Sequence, residues 1–396
     1  MLTKAFIPYK GYYSSPFVNW QGNLATENSI VLGAETSKKW LDAMNIEPGI
    51  FDYLILGITV SQPHQFYSSP WSSAMIGAKN TAAMTISQAC TTGATCIFQA
   101  AQGVEIDLYS ACYVLMTDRT SNGPHTIWPN PKGPGGQVIS ENWMMDNINC
   151  DPNVGLRMIE TAENVAREIG TTKEQCDELS LRRYEQYTDS LAEERKFQKK
   201  YMFPVEVSIS KKKTLAIEED QGIKASTKEG LAQLKPVIEG GVLSFGAQTH
   251  PADANCGIIV TTREKAKELS HDKSFEIQVI SYGYARAEAG YMAKAPFPAA
   301  KMALDKAGLK IGDIKAIKTH NPFIVNDIYF ANGLNIDAYH MNNYGCSMIY
   351  GHPQGPTAGR AIIEGIEEVV LKGGGYLLWA GCAAGDTGTA MIFKIG

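Results

Sequence analysis

Apolar positions Ile30, Val31, Ala34, Trp40, Leu41 and Met44 recur at helical spacing and predict a first helix over about residues 27–44. Asn45 and the Pro48-Gly49 pair mark a turn after it. The run Tyr53-Leu54-Ile55-Leu56 reads as a short buried strand, and a second apolar segment covers Ala82 to Ile86, ahead of Cys90. Residues 92–102 (TGATCIFQAAQ) read as a buried helix rich in small side chains, and Ala111 to Met116 as a buried strand. Strands that alternate with helices predict an α/β fold with a mostly parallel sheet. From about residue 121 the pattern changes. A Pro/Gly/Asn-rich loop (SNGPHTIWPNPKGPGG) leads to a helical stretch at 161–170 and a long charged amphipathic stretch from Lys173 to about Lys200. Lys211-Lys212-Lys213 and Glu218-Glu219-Asp220 lie close together after it. Residues 121–240 therefore read as a polar insertion on an α/β body, whose apolar character returns after Val242.

The body is internally repeated. The stretch LDAMNIEPGIFDYLI from Leu41 resembles LDKAGLKIGDIKAIK from Leu304, and Tyr113-Val114-Leu115 resembles Tyr376-Leu377-Leu378 at the same offset of 263 residues. Two matches at one offset, in the same helix–turn–strand role, predict a duplicated α/β unit with the insertion between its copies. The same offset carries Cys90 to position 353, beside His352 in Gly351-His352-Pro353-Gln354-Gly355. A Cys and a His thus occupy equivalent turns, each before a helix of small residues. Pseudo-two-fold packing of the halves would bring the turns together near two helix N-termini. A thiolate there is expected to have a lowered pKa, and the histidine to take its proton.

Composition narrows the function classes. The 396 residues are 44% hydrophobic and 19% charged, which argues for a compact protein with a large core. A net charge of −5 argues against a general nucleic-acid binder. No run of about 18 apolar residues predicts a membrane span, and the N-terminus does not read as a signal peptide. Eight cysteines without CxxC or zinc spacing predict a reducing, cytoplasmic setting and no metal site.

Five motifs then fall in one order: Ser87-Gln88-Ala89-Cys90, Thr161-Ala162-Glu163-Asn164-Val165-Ala166, Leu234-Lys235-Pro236, Gly351-His352-Pro353-Gln354-Gly355 and Gly381-Cys382. At these residues, and over essentially its whole length, the chain resembles the thiolases, acyl-CoA C-acyltransferases that make or break a carbon–carbon bond next to a thioester. The resemblance implies a five-layered αβαβα thiolase fold. Its N-terminal half would be residues 1–120 plus 241–272, its loop domain 121–240 and its C-terminal half 273–396. It implies a homodimer or higher assembly, coenzyme A as substrate and no bound cofactor.

The resemblance also assigns roles. Cys90 would carry the acyl group as a thioester. His352 would activate it and donate to the thioester oxygen. Cys382 would act as general acid/base at the carbanion. For each, an ordinary turn or a buried structural thiol is the plain alternative. Cys96, Cys112, Cys150, Cys176, Cys256 and Cys346 have no such context and read as structural.

Three departures from the family pattern bear on the site. His320-Asn321-Pro322-Phe323 stands where Asn-Glu-Ala-Phe is common; the initial His resembles the sterol-carrier-protein branch, which makes His320 an oxyanion-hole candidate and Asn321 an unusual site residue. Cys382-Ala383-Ala384 replaces Cys-x-Gly, with the Ala384 N–H still able to donate beside that of Cys90. Arg157-Met158 replaces a His-Met pair that faces the acyl chain. An arginine there would need an anion, supplied either by a substrate carboxylate or by Glu160. Trp128, Trp143, Met144 and Met145 would line an apolar pocket or fill the insertion's own core. Lys224, and less so Lys211 to Lys213, are candidates for the CoA phosphates, and Thr249 for the pantetheine.

These features lead to a thiolase acting on a β-keto acyl-CoA. An aromatic, carboxylated substrate such as benzoylsuccinyl-CoA is a narrower expectation, with acetoacetyl-CoA as the alternative. Members of both branches resemble systems with a small zinc-ribbon and OB-fold partner that helps to bind CoA. A non-catalytic acyl-CoA-binding scaffold would have lost a reactive group, yet Cys90, His352 and Cys382 are all retained. A ketoacyl synthase would use a Cys with two His, or a Cys-His-Asn set, and would leave Cys382 unexplained.

Overall fold

A computed structural model describes residues 1–210 and 212–396, so the Lys211 candidate lies outside the described residues. The elements of the first half that frame the site are β1 (Phe6–Ile7), α1 (Ser29–Ala43), β2 (Tyr53–Gly57), β3 (Ala82–Ile86), α2 (Thr92–Glu105) and β4 (Ala111–Arg119). The insertion contributes α3 (Met158–Ile169) and α4 (Lys173–Ser190). After it come β5 (Ala252–Thr261), β6 (Ile277–Arg286), α5 (Pro296–Ala307), β7 (Ile314–His320), α6 (Ile324–Leu334), α7 (Gly355–Leu371), β8 (Gly375–Ala383) and β9 (Thr387–Ile395).

The repeat is visible in this order. α2 and α7 begin 263 residues apart, and β4 and β8 nearly so. Local chemistry sets the element ends. Asn28 caps α1 by accepting from the N–H groups of Ile30 and Val31. Asn45, in the left-handed region at φ 54°, turns the chain after it. Pro356 stands in the first turn of α7, where its missing N–H costs nothing.

The main sheet has eleven strands, with the order β7-β8-β9-β6-β1-β5-β4-β2-β3 and two short strands, at 12–14 and 18–19, paired with β5. β2 runs parallel to β3 and β4, and β7 parallel to β8. The pairs β4–β5, β8–β9 and β6–β9 are antiparallel, so the sheet is mixed rather than mostly parallel. The connections require this: β8 and β9 are joined by a tight turn through Gly385 and Asp386, both at positive φ, which cannot cross over to a parallel strand. β1 pairs with both β5 and β6 and stitches the halves together. α1 covers the outer face of the first half, α5 that of the second, and α2 and α7 lie between them. This is the five-layered arrangement expected.

The middle layer is unusually close. A Cβ on Gly93 of α2 would meet the Gly355 carbonyl oxygen at 2.6 Å and the Gly359 nitrogen at 3.1 Å, both backbone atoms of α7. The missing side chain at Gly93 is what lets α2 touch the α7 backbone. α7 is buried along almost its whole length, and its charges are paired. Arg360 makes a bidentate pair with Asp220 of the insertion at 2.6 and 2.8 Å and a further bond to Glu364 at 2.9 Å. Lys318 and Tyr201 also reach Glu364, at 2.9 and 2.8 Å.

Gly93→Ala is expected to lower unfolding stability by ~1–3 kcal/mol, because the methyl meets backbone that cannot rotate away. A denaturant midpoint unchanged from wild type would show that the layer can open.

Candidate active site

Cys90 sits in the short turn Ala89–Thr91 between β3 and α2. Ala89 is at φ 44°, a left-handed position rare for a residue with a side chain. The Thr92 hydroxyl clamps the turn, accepting from the Gln88 N–H and donating to the Ala89 carbonyl, each at 2.7 Å. His352 lies in the equivalent turn before α7. Asp118 ties that turn to the first half: its carboxylate accepts from the N–H groups of Gly355, Thr59 and Val60 at 2.8–2.9 Å. His320 ends β7. The His320 and His352 rings stack at 4.0 Å between centroids, inclined by 29°. Cys90 Sγ and a ring nitrogen of each lie within 4.8 Å of one another.

The distal nitrogens carry the chemistry. His320 Nδ1 bonds Ser347 Oγ at 2.9 Å and His352 Nδ1 bonds Thr357 Oγ1 at 2.7 Å. Both Nε2 atoms are buried with no protein partner. Because a hydroxyl both donates and accepts, Thr357 can hold His352 in either tautomer, whereas the one Ser347 proton goes to Asn321 or, with that bond given up, to His320 Nδ1. Two imidazoles with free Nε2 atoms side by side suit a substrate oxygen or a proton in transit. The same cluster has the makings of a metal site, but a tetrahedral ion spreads its ligands apart, and the stack would have to open to hold one.

Cys382 lies fully buried in β8, its Sγ accepting from Asn326 Nδ2 at 3.2 Å. The Ala384 N–H and that of Cys90 both point to the Cys90 sulfur. The expected lowering of the thiol pKa is corrected here: burial pushes Cys90 up to about 12, and the two N–H groups only oppose that rise. Burial likewise holds His352 down to about 3, against the Gln354 amide. It keeps His320 well below its ordinary value, with His352 adding to the effect. Cys382 is pushed up by burial and then by Cys90. The resting site is therefore neutral throughout, two thiols and two imidazoles.

These groups open into a cavity of about 350 Å³. Cys90, His352, Gln354 and Ala384 form its floor, and Val60, Trp143, Met144, Ile148, Met158, Met292 and Phe323 make much of its wall. Trp143, Met144, Ile148 and Met158 come from the insertion, which thereby roofs the site. The Trp143 indole is pinned by the Thr59 carbonyl at 3.0 Å. Thr249 also lines the cavity, with its hydroxyl donated to the Ser347 carbonyl at 2.6 Å.

Other predicted residues stand elsewhere. Arg157 is exposed at the N-terminus of α3 and bonds Glu160 at 3.1 Å, while the Glu160 carboxylate accepts the Arg157 N–H at 2.7 Å. The Arg157 side chain, followed by its N–H, holds Glu160 below its usual value. Arg157 closes a helix end and does not face the acyl pocket. Asn321 is buried behind the site: its amide donates to Asp327 at 2.8 Å and accepts from Ser347 at 3.2 Å. It supports the partner of His320 and lines no cavity wall. Lys224 is exposed on a loop away from the cavity lining. Trp128 is exposed on a hairpin, its indole N–H on Glu141 at 2.7 Å. Ser347, Thr357 and Asn326 orient His320, His352 and Cys382, and sequence reasoning missed all three. Only Thr357 carried a local signal, one helical turn past the His352 motif.

The family model described as "Thiolase, N-terminal domain" matches residues 11–263, and that described as "Thiolase, C-terminal domain" matches residues 274–395. The chain is 26% identical over 387 residues to the human mitochondrial 3-ketoacyl-CoA thiolase, covering 96% of each chain. It is 25% identical over 385 residues to the acetyl-CoA acetyltransferase of Escherichia coli, covering 95% of each. The crystal structure of human mitochondrial 3-ketoacyl-CoA thiolase superposes with a TM-score of 0.90 at 24% identity, over 99% of this chain and 98% of that one. With both family models spanning the two halves that build the Cys90–His352 pair, the chain belongs to the thiolase family of acyltransferases.

Proposed function

We propose that this thiolase cleaves a 3-oxoacyl-CoA with CoA, or runs the reverse condensation, through an acyl thioester on Cys90. The reading rests on Cys90, His352 and Ala384 lining one cavity, with His320 behind them against Cys90 and His352 and the buried Cys382 beside Cys90. In cleavage, Cys90 Sγ attacks the C3 carbonyl and its proton passes to His352 Nε2. With its Nδ1–H donated to Thr357, His352 presents a lone pair there. The N–H groups of Cys90 and Ala384 take the oxyanion. The C2–C3 bond then breaks. His320 and protonated His352 hold the enolate oxygen of the departing thioester, and Cys382 gives its proton to C2. CoA next attacks the acyl-Cys90 carbonyl and gives its proton to Cys382, while Cys90 leaves as the thiol with the proton that His352 has held.

The cavity wall supports an apolar acyl group, with Trp143 and Phe323 favouring aromatic members. The dicarboxylic half of the benzoylsuccinyl-CoA reading loses its motive, because among the described residues no lysine or arginine lines the cavity and Arg157 is paired outside it. Acetoacetyl-CoA and related uncharged 3-oxoacyl-CoAs are thus favoured. A lining without lysine or arginine also fits a zinc-ribbon/OB-fold partner that supplies the cations for the CoA phosphates. A homodimer is supported by β3, a sheet-edge strand that runs directly into the Cys90 turn, and by the wholly exposed Phe66. The domain division 1–120 plus 241–272, 121–240 and 273–396 is supported by β5, which pairs with β4 across the insertion. Eight unpaired cysteines support a reducing cytoplasm, and among the described residues no helix is long and apolar enough to cross a membrane.

Cys90 between two imidazoles is also what a ketoacyl synthase would use. Cys382 separates the two readings, since only the thiolase needs an acid at the departing carbon. Cys382→Ala should slow thiolysis of acetoacetyl-CoA by about 10²–10⁴-fold; full activity would favour the synthase. Intact-protein mass spectrometry after incubation with acetyl-, succinyl- and benzoyl-CoA is expected to give an adduct on Cys90 that Cys90→Ser abolishes. An adduct persisting in that variant would sink the nucleophile assignment. Finally, a thiol raised to about 12 is neutral at pH 7. Alkylation of Cys90 by iodoacetamide should therefore climb continuously from pH 7 to 10. A plateau reached below pH 8 would mean a stabilised thiolate.

A further inference from the structure

Gln354 follows His352 and Pro353 and occupies the N-cap position of α7, yet its side chain does not cap the helix. Its backbone, at φ 66° and ψ −102°, is in a region that side-chain-bearing residues rarely adopt. The side chain instead lines the cavity, and its Oε1 accepts the Cys90 S–H at 3.3 Å. Of the other polar side chains of the wall, Gln248 is also without a side-chain partner among the described residues but makes no bond to Cys90, and three more are committed. The Thr59 hydroxyl donates to Asp118 at 3.0 Å, the Asn147 amide to Glu141 and the Trp143 carbonyl, and the Thr249 hydroxyl to Ser347. Among the described residues, Gln354 Nε2 has no acceptor.

Acylation of Cys90 removes the S–H that Gln354 Oε1 accepts, and it puts the acyl carbons where that proton was. An alkyl chain leaves the amide oxygen and nitrogen facing carbon. A hydroxyl on the carbon next to the thioester carbonyl donates to Oε1 and accepts from Nε2, matching both. A site built to bond a substrate hydroxyl discriminates against the analogue that lacks it. Resting on the acyl-Cys90 reading above, we propose that Gln354 is a specificity-determining residue that selects 2-hydroxyacyl groups. Such a group corresponds to a 3-oxoacyl-CoA hydroxylated at C4.

The test compares Cys90 acylation rates by intact-protein mass spectrometry for two matched pairs, glycolyl-CoA against acetyl-CoA and lactoyl-CoA against propanoyl-CoA. Wild type is expected to favour the hydroxylated member by about tenfold. In Gln354→Leu the ratio should fall to about one. Gln354→Gly, which relieves the positive φ while removing the amide, should behave alike. A wild-type ratio of one or below overturns the proposal whether or not either variant folds, as does a ratio unchanged in a folded variant. Absence of any Cys90 adduct with all four donors overturns the acyl-Cys90 reading itself, and this proposal with it.

Discussion

The backbone contact between α2 and α7 is the constraint on which the rest of the site depends. Gly93 lets α2 approach the Gly355 and Gly359 backbone of α7 to a separation that no side chain at that position would allow. Because each helix is preceded by a reactive turn, this approach sets Cys90 against His352. Each half alone offers a thiol or an imidazole, and the duplication becomes a site only when the copies meet at these glycines. The Asp118 carboxylate then fixes the register, since it holds Gly355 of one half and Thr59 and Val60 of the other.

The same closeness decides the electrostatics. Two helix N-termini would lower a thiol pKa in a wetter setting. Here the middle layer is so dry that desolvation outweighs them, leaving Cys90 and both histidines neutral. A neutral pair has a consequence for the reaction. The thiolate exists only while His352 holds its proton and an acyl-CoA carbonyl is present to receive the sulfur, so bulk water and adventitious electrophiles meet a protonated thiol. The unpartnered Nε2 atoms fit this view: buried nitrogens without partners are costly in the resting protein, and a substrate oxygen relieves both at once.

How far this was legible in the sequence depends on what kind of contact a residue makes. The 263-residue repeat predicted the paired halves, and through them the meeting of Cys90 and His352, because strand and helix periodicity survives in a single chain. The mixed sheet was not legible, since the direction of β5 against β4 is set across the whole insertion that connects them, from Arg119 to Ala252. Arg157 and Asn321 were misplaced for one reason. A residue beside a motif can face the cavity or stand behind it, and only the helix start at Met158 and the Asp327–Asn321–Ser347 chain decide which. Ser347 and Asn326 left no trace because each acts across the fold on a residue 27 or 56 positions away.

The insertion shares an apolar cluster with the body, in which Ile159, Val165 and Leu179 join Phe323, Ile324 and Met348, and a buried charge sets its position within that contact. Asp220 leaves the insertion to enter the core, where it meets Arg360, the Phe17 N–H and the Tyr187 hydroxyl. Arg360 is in turn stacked against Tyr350 at 3.7 Å and bonded to Glu364. A buried pair of this kind adds little net stability but is very costly to break from one side. It therefore fixes where the insertion docks. That docking starts from α7, the helix whose N-terminus presents His352 and Gln354, so the roof of Trp143, Met144, Ile148 and Met158 takes its position from the same element as the catalytic turn. The roof has a second tie through the Trp143 indole on the Thr59 carbonyl, and the Thr59 N–H shares the Asp118 carboxylate with Gly355 at the start of α7.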